Sequence, residues 1–336
     1  MAAEALEAPD AVQRQAQDLD LPIRDLAARL RRAPPRLVVT CARGSSGNAA
    51  LFAKGLIERH LAIPVADAAP SVASVYRRGL HVDGQLYIAI SQSGRSHDLV
   101  DSTVAAKACG ALTVAIVNDS SSPLASESDV VLPLSAGEES SVAATKTFIA
   151  SLAALVRLVA CWSEDAAVSA ALETLPDRLS RAAQLDWSEA LNAFSQANST
   201  AVLGRGPTLA MAEEASLKLK EICHIHAEGY SGSEFQHGPI ALVSGDYPVL
   251  ILMPTDEARH ELANLASDLC RKSRLVFVAG NATGDARLLP VLPPDQPDAD
   301  AICLIQTFYG FAARLADKLG LDAAQPRHLR KITLTR

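Results

Sequence analysis

A repeated alternation of short, wholly apolar runs with longer stretches of helical spacing constrains this chain more than any other feature. Runs at 36–40 (RLVVT), 86–91 (LYIAIS), 112–117 (LTVAIV) and 129–134 (DVVLPL) are separated by helical stretches at about 48–60, 97–109 and 142–162. A strand apolar on both faces needs cover on both, and a helix between strands makes a parallel crossover, so this order predicts an α/β fold with a parallel sheet. An Ala-rich, charged stretch at 163–198 reads as helical, and then the cycle restarts. Strands are expected at 200–204, 248–253, 274–279 and 288–292, with helices at about 209–223, 256–271 and 302–319. The segments VVTCARGSSGNAALFAKGLIE (38–58) and AVLGRGPTLAMAEEASLKLKE (201–221) both run strand, Arg-Gly turn, long helix. They suggest a duplicated α/β unit, each copy with a glycine turn feeding a helix N-terminus at the carboxyl end of a strand, where open α/β sheets hold ligands.

With 336 residues, 49% of them apolar, the chain can bury the cores of about two domains. The expected division is an N-terminal helical segment (1–30) broken at Pro22, a first domain (31–165), a helical connector (166–198), a second domain (199–320) and a C-terminal tail (321–336). A net charge of −7 with no run of Lys/Arg argues against a nucleic-acid or lipid partner. The six cysteines are scattered without C-x-x-C or metal-ligand spacing, as in a reduced cytoplasmic protein, so neither a disulfide nor zinc is expected. Acidic residues among the first thirty do not suit a signal peptide, and no apolar run reads as long enough for a membrane span. The expected localisation is cytoplasmic.

Two clusters carry chemistry. Ser91-Gln92-Ser93-Gly94-Arg95-Ser96 gathers hydroxyl, amide and backbone donors between an apolar strand and a helix, which suits a phosphate dianion; a serine-rich turn with an N-cap serine is the alternative. Gly44-Ser45-Ser46-Gly47 after the preceding strand supplies a second donor group, and Ser140-Ser141 through Thr145-Lys146 a third. Neither dinucleotide nor nucleoside-triphosphate fingerprints occur. On the later helix, Glu214, Lys218 and Glu221 share one face at i, i+4, i+7. A solvated salt-bridged face is one reading. The other is an acid–base group, favoured by the His-, Glu- and Gly-dense HIHAEGYSGSEFQHGP that follows: a glutamate in a pocket can move protons between neighbouring sugar carbons. His224 and His226 lack a third ligand at a useful spacing, so no metal is expected. The segment from Asp322 to Lys331 reads either as a disordered tail or as a strap bringing Lys331 to a sugar carbonyl.

In order along nearly the whole chain, Glu7-Ala-Pro9, SQSGRS, GEESSVAATK (137–146), LGRG (203–206), EASLKLKE (214–221), IHAEGYSGSEFQHGP and QPRHLRK resemble the sugar isomerase (SIS) family, and in particular the isomerase half of glucosamine-6-phosphate synthase. The resemblance implies two tandem SIS domains, each a five-stranded parallel sheet in an αβα sandwich, and homodimers with sites near the subunit interface. It implies that Ser46, Ser91, Gln92, Ser93 and Ser96 hold phosphate and sugar, with Ser45 and Val142 beside them; Ser96 stands where the synthase has threonine. Glu221 then resembles the base moving the proton between C1 and C2, Lys218 its tuning neighbour, His237 the ring-opening residue contributed by the partner subunit, and Lys331 the lysine that forms an imine with the ketose. Only about 35 residues precede the first predicted strand, too few for the synthase's glutaminase domain. The resemblance therefore leads to glucosamine-6-phosphate deamination, giving fructose 6-phosphate and ammonia, without metal or organic cofactor. Fructosamine-6-phosphate deglycase and galactosamine-6-phosphate deaminase are the nearest alternatives, with a non-catalytic sugar-phosphate sensor more remote.

Overall fold

The computed structural model describes residues 1–281 and 285–331. The chain runs α1 (Ala2–Arg32), β1 (Val38–Cys41), α2 (Gly44–Leu61), β2 (Val65–Asp67), α3 (Ser71–Ser74), β3 (Leu86–Ser91), α4 (His97–Ala108), β4 (Leu112–Val117), α5 (Pro123–Glu127), β5 (Val130–Pro133), α6 (Lys146–Ser163), α7 (Ala166–Ala182) and α8 (Ser188–Ser195). A second series follows with β6 (Ser199–Gly204), α9 (Leu209–Cys223), β7 (His226–Ser231), α10 (Gly232–Gln236), β8 (Val249–Leu252), α11 (Arg259–Cys270), β9 (Val276–Ala279), β10 (Arg287–Leu289) and α12 (Pro297–Lys318). Among the described residues the strands make two five-stranded parallel sheets, ordered β2-β1-β3-β4-β5 and β10-β9-β8-β6-β7. Read from its other edge, the second repeats the first: second strand, first, third, fourth, fifth. This is the duplication that the two Arg-Gly turns announce.

The chain divides into two compact bodies. One holds residues 8–139 and 146–173, with 330–331; the other holds 1–7, 140–145 and 174–329. In the first body β1 and β3 are buried at every position and pair in register from Val38↔Leu86 to Cys41↔Ala89. One face of that sheet packs Val39, Tyr87, Ala115 and Val117 against Leu99, Ala106 and Leu124 of the covering helices. In the second body Leu203, Ile251 and Val278 pack against Leu262, Leu265 and Leu269 of α11, while Phe194 meets Phe311 of α12 edge-on at 5.5 Å.

Three expectations change. Helix α1 runs through Pro22 without a break. A proline inside a helix costs about 3 kcal/mol, but Val12, Leu19, Ile23, Leu26 and Leu30 are all buried, at about 1.5–3 kcal/mol for each fully buried side chain, and Gln15 donates to the carbonyls of Leu134 and Ala150. Strands β2 and β7, absent from the sequence reading, lie at sheet edges and show exposed positions instead of an apolar run. Helix α6 has the length and apolarity to cross a bilayer, contrary to the reading of the apolar runs, but most of it is buried in the protein.

Candidate active site

Both serine loops leave the carboxyl ends of the neighbouring strands β1 and β3. Ser45 and Ser46 lie in the first turn of α2. Ser91 ends β3, Gln92 and Ser93 follow, and Ser96 occupies the N-cap position of α4. Ser96 has extended backbone geometry and makes no side-chain capping bond, so the N-cap reading is realised in backbone but not in hydroxyl. The turn between is held internally: Ser91 Oγ accepts from the Gly94 amide at 3.1 Å, and the Gln92 carbonyl accepts from Asn118 N at 3.2 Å. Gly94 has φ +62°, and a Cβ there would run into the Ser122 hydroxyl, so this position requires glycine on both counts.

Arg43 and Asp98, unassigned in the sequence reading, brace these loops. Arg43, just before α2, donates through Nη2 (2.7 Å) and Nε (3.1 Å) to Asp98 Oδ2 in the first turn of α4. Asp98 is 1% exposed, so its charge is met by the arginine and not by water. The bridge fixes two helix N-termini beside each other, a geometry that favours an anion.

The second cluster stands on α9 in the other body. Glu214 and Lys218 are both fully buried, with Lys218 Nζ 3.3 Å from Glu214 Oε1 and 2.5 Å from Glu221 Oε2. The solvated-face reading fails here: a buried i, i+4, i+7 set is a wired group, and only Glu221, with 21% of its side chain exposed, reaches the surface. Burial is the largest influence on Lys218 and works against its charge, but the two carboxylates outweigh it and raise its pKa. Tyr309 of α12 donates to Glu214 Oε1 at 3.0 Å from 95 residues away. No sequence signal marks Tyr309, because its partner is set only when α12 packs on α9.

His237 follows α10 and is exposed. Val142, in the same body, donates its amide to Ala324 O at 3.1 Å, tying segment 140–145 to the chain beyond α12. Lys331 belongs with the first body, where its Nζ lies 2.8 Å from the fully buried Glu139 carboxylate. Glu139 also accepts from Thr147 N and Oγ1 at 3.1 and 2.8 Å. It stood in the GEESS motif without a role. The serine loops and Lys331 thus stand on one body, and Glu214, Lys218, Glu221, His237 and Val142 on the other. Among the described residues no group of three or more His, Cys, Asp or Glu side chains could hold a metal ion.

Two five-stranded parallel sheets of the same connectivity are the architecture of tandem SIS domains, a class of fold that includes phosphosugar isomerases. The chain belongs to the SIS domain family, whose model matches residues 31–160 and 193–283. It is 33% identical over 311 residues to a glutamine--fructose-6-phosphate aminotransferase (isomerizing) of Caulobacter vibrioides, covering 88% of this chain and 51% of that protein. The chain therefore spans about half the length of such relatives. A solved structure from Silicibacter pomeroyi DSS-3, provisionally assigned as a phosphosugar isomerase, is 40% identical with a TM-score of 0.91, covering 96% of this chain and 99% of that one. The C-terminal domain of glucosamine-fructose-6-phosphate aminotransferase from Francisella tularensis is 28% identical with a TM-score of 0.81, covering 96% and 97%.

Proposed function

We propose that the protein is a glucosamine-6-phosphate deaminase, converting that amino-sugar phosphate and water into fructose 6-phosphate and ammonia. The observation carrying this reading is the buried Glu214–Lys218–Glu221 chain, which offers one reachable carboxylate backed by a buried ammonium. A carboxylate so placed suits proton exchange between adjacent sugar carbons, in keeping with the isomerizing aminotransferases to which the chain is similar.

In the proposed scheme Ser45, Ser46, Ser91, Gln92, Ser93 and Ser96 hold the phosphate and sugar, with Val142 beside them. His237, supplied by the partner subunit of a homodimer, assists ring opening. Glu221 takes the C2 proton and returns it to C1, leaving an imine at C2. Water adds to that carbon and ammonia departs, or Lys331 first displaces ammonia as a lysine imine that water then hydrolyses to the ketose. Attack by Lys331 requires it to give up a proton, and Glu139 is the adjoining acceptor. The scheme needs no metal or organic cofactor, and six unpaired thiols suit the cytoplasm.

The test is to offer glucosamine 6-phosphate, galactosamine 6-phosphate and a fructosamine 6-phosphate to the purified protein and assay ammonia and ketose phosphate. Equal ammonia and fructose 6-phosphate from glucosamine 6-phosphate is the expected result. Turnover of the fructosamine alone would make the protein a deglycase, and ketose phosphate without ammonia would leave only the isomerase step.

A further inference from the structure

A cavity of about 300 Å³ opens at the carboxyl ends of β8 and β9, entirely within the second body. By strand order, the loop after β8 is the counterpart of the serine loop after β3, because β8 and β3 are the third strands of sheets with the same connectivity. Open parallel sheets bind ligands at such loops, and the scheme above uses no residue lining this cavity.

The lining differs from the serine loops in kind. Met253, Leu292 and Leu304 give apolar walls, and no run of hydroxyls resembles Ser91-Gln-Ser. Arg178, half-buried, donates to Asp300 Oδ1 at 2.5 Å and Pro293 O at 3.1 Å, and Asp300 also accepts from Thr255 Oγ1 at 2.7 Å. That network fixes the wall and leaves Asp300 saturated. Two positive features remain. Arg178 Nε is buried with no acceptor among the described residues, a deficit that an acceptor on a bound molecule would meet. Arg259, opening α11 at the rim, gives its amide to the Asp256 carbonyl, while its exposed guanidinium makes no hydrogen bond or ion pair with a described residue. Arg178 is shared between Asp300 and Asp295, whose Oδ2 lies 3.4 Å from Nη1, so among the charged groups lining the cavity Arg259 is the one without an ion-pair partner among the described residues. The volume lies at the small end of ligand pockets, which run from about 300 to 1,000 Å³.

We propose that this cavity is a second small-molecule site, taking an organic anion with a compact apolar body whose charged group meets Arg259. The apolar walls select the body, and the free guanidinium selects the charge. A carboxylate or a phosphate monoester would satisfy that chemistry. Inorganic phosphate would not.

The full chain is titrated with benzoate, phenyl phosphate, benzyl alcohol and inorganic phosphate, with saturation-transfer NMR on the ring protons as the readout and no turnover required. Failure here and failure of the deaminase assay are therefore separate results. Benzoate or phenyl phosphate should bind saturably, the tighter of the two naming the anionic group, with benzyl alcohol at least about tenfold weaker. Arg259→Gln should weaken the anion about tenfold, and Leu292→Trp, checked for an unchanged melting temperature, should abolish it. Ser93→Ala should leave it intact. Absent binding, binding untouched in Arg259→Gln, or loss in Ser93→Ala with displacement by fructose 6-phosphate would each overturn the proposal.

Discussion

Glu221 and Lys218 separate chemistry from stability at the level of single residues. Glu221→Gln keeps the side chain's size and removes its basicity, so kcat should fall about 10³-fold with KM nearly unchanged, measured by steady-state ammonia release. A large rise in KM instead would place Glu221 in substrate binding. Lys218→Met is expected to act mainly on the fold, because it strands the buried Glu214 carboxylate; breaking one partner of a buried pair costs about 3–5 kcal/mol. Its pH signature has a definite sign. The pKa of Lys218 is raised on folding, so its contribution is complete below the ordinary lysine value of about 10.4 and is lost as pH climbs through the higher folded value. Melting temperature followed from pH 8 to 12 should therefore fall less steeply in Lys218→Met than in the wild type. Equal slopes would mean that Lys218 is not charged in the fold.

For the loop between β3 and α4, proposed to hold the phosphate, backbone geometry makes the prediction. Gly94 adopts a left-handed conformation that costs other residues about 1–2 kcal/mol, and a side chain there also meets Ser122. Gly94→Ala should raise KM for a sugar phosphate about tenfold while leaving kcat within about twofold, since the acid–base set stands on α9 and is untouched. Unchanged KM would detach this loop from substrate. The positions of Ser91 to Ser96 were legible in the sequence because strand, turn and helix are local and each leaves its own pattern. Arg43 with Asp98 was not legible: the two come together only because β1 pairs with β3, and parallel pairing joins segments that sequence spacing cannot connect. Strand β7 was hidden for another reason, since an edge strand with exposed positions carries no apolar run.

A shared-site homodimer makes a prediction at the scale of the whole molecule. Under the proposed scheme, in which the partner of a homodimer supplies His237, mixing Glu221→Gln and His237→Ala proteins through an unfolding–refolding step should regain activity, about a quarter of wild type for random pairing, since one site in each mixed dimer is intact. Two inactive proteins that stay inactive when mixed, with mixed dimers verified by mass, would mean His237 acts within its own chain. The α/β class, the duplication and the main helices and central strands were fixed by the sequence alone, because alternation of apolar runs and helical spacing is written residue by residue. Tertiary structure decided which charged residues are buried. The i, i+4, i+7 spacing of Glu214, Lys218 and Glu221 is the same on a solvated helix as on a sealed one, and it is the packing of α9 against its sheet and against α12 with its Tyr309 that excludes the water that would otherwise screen them.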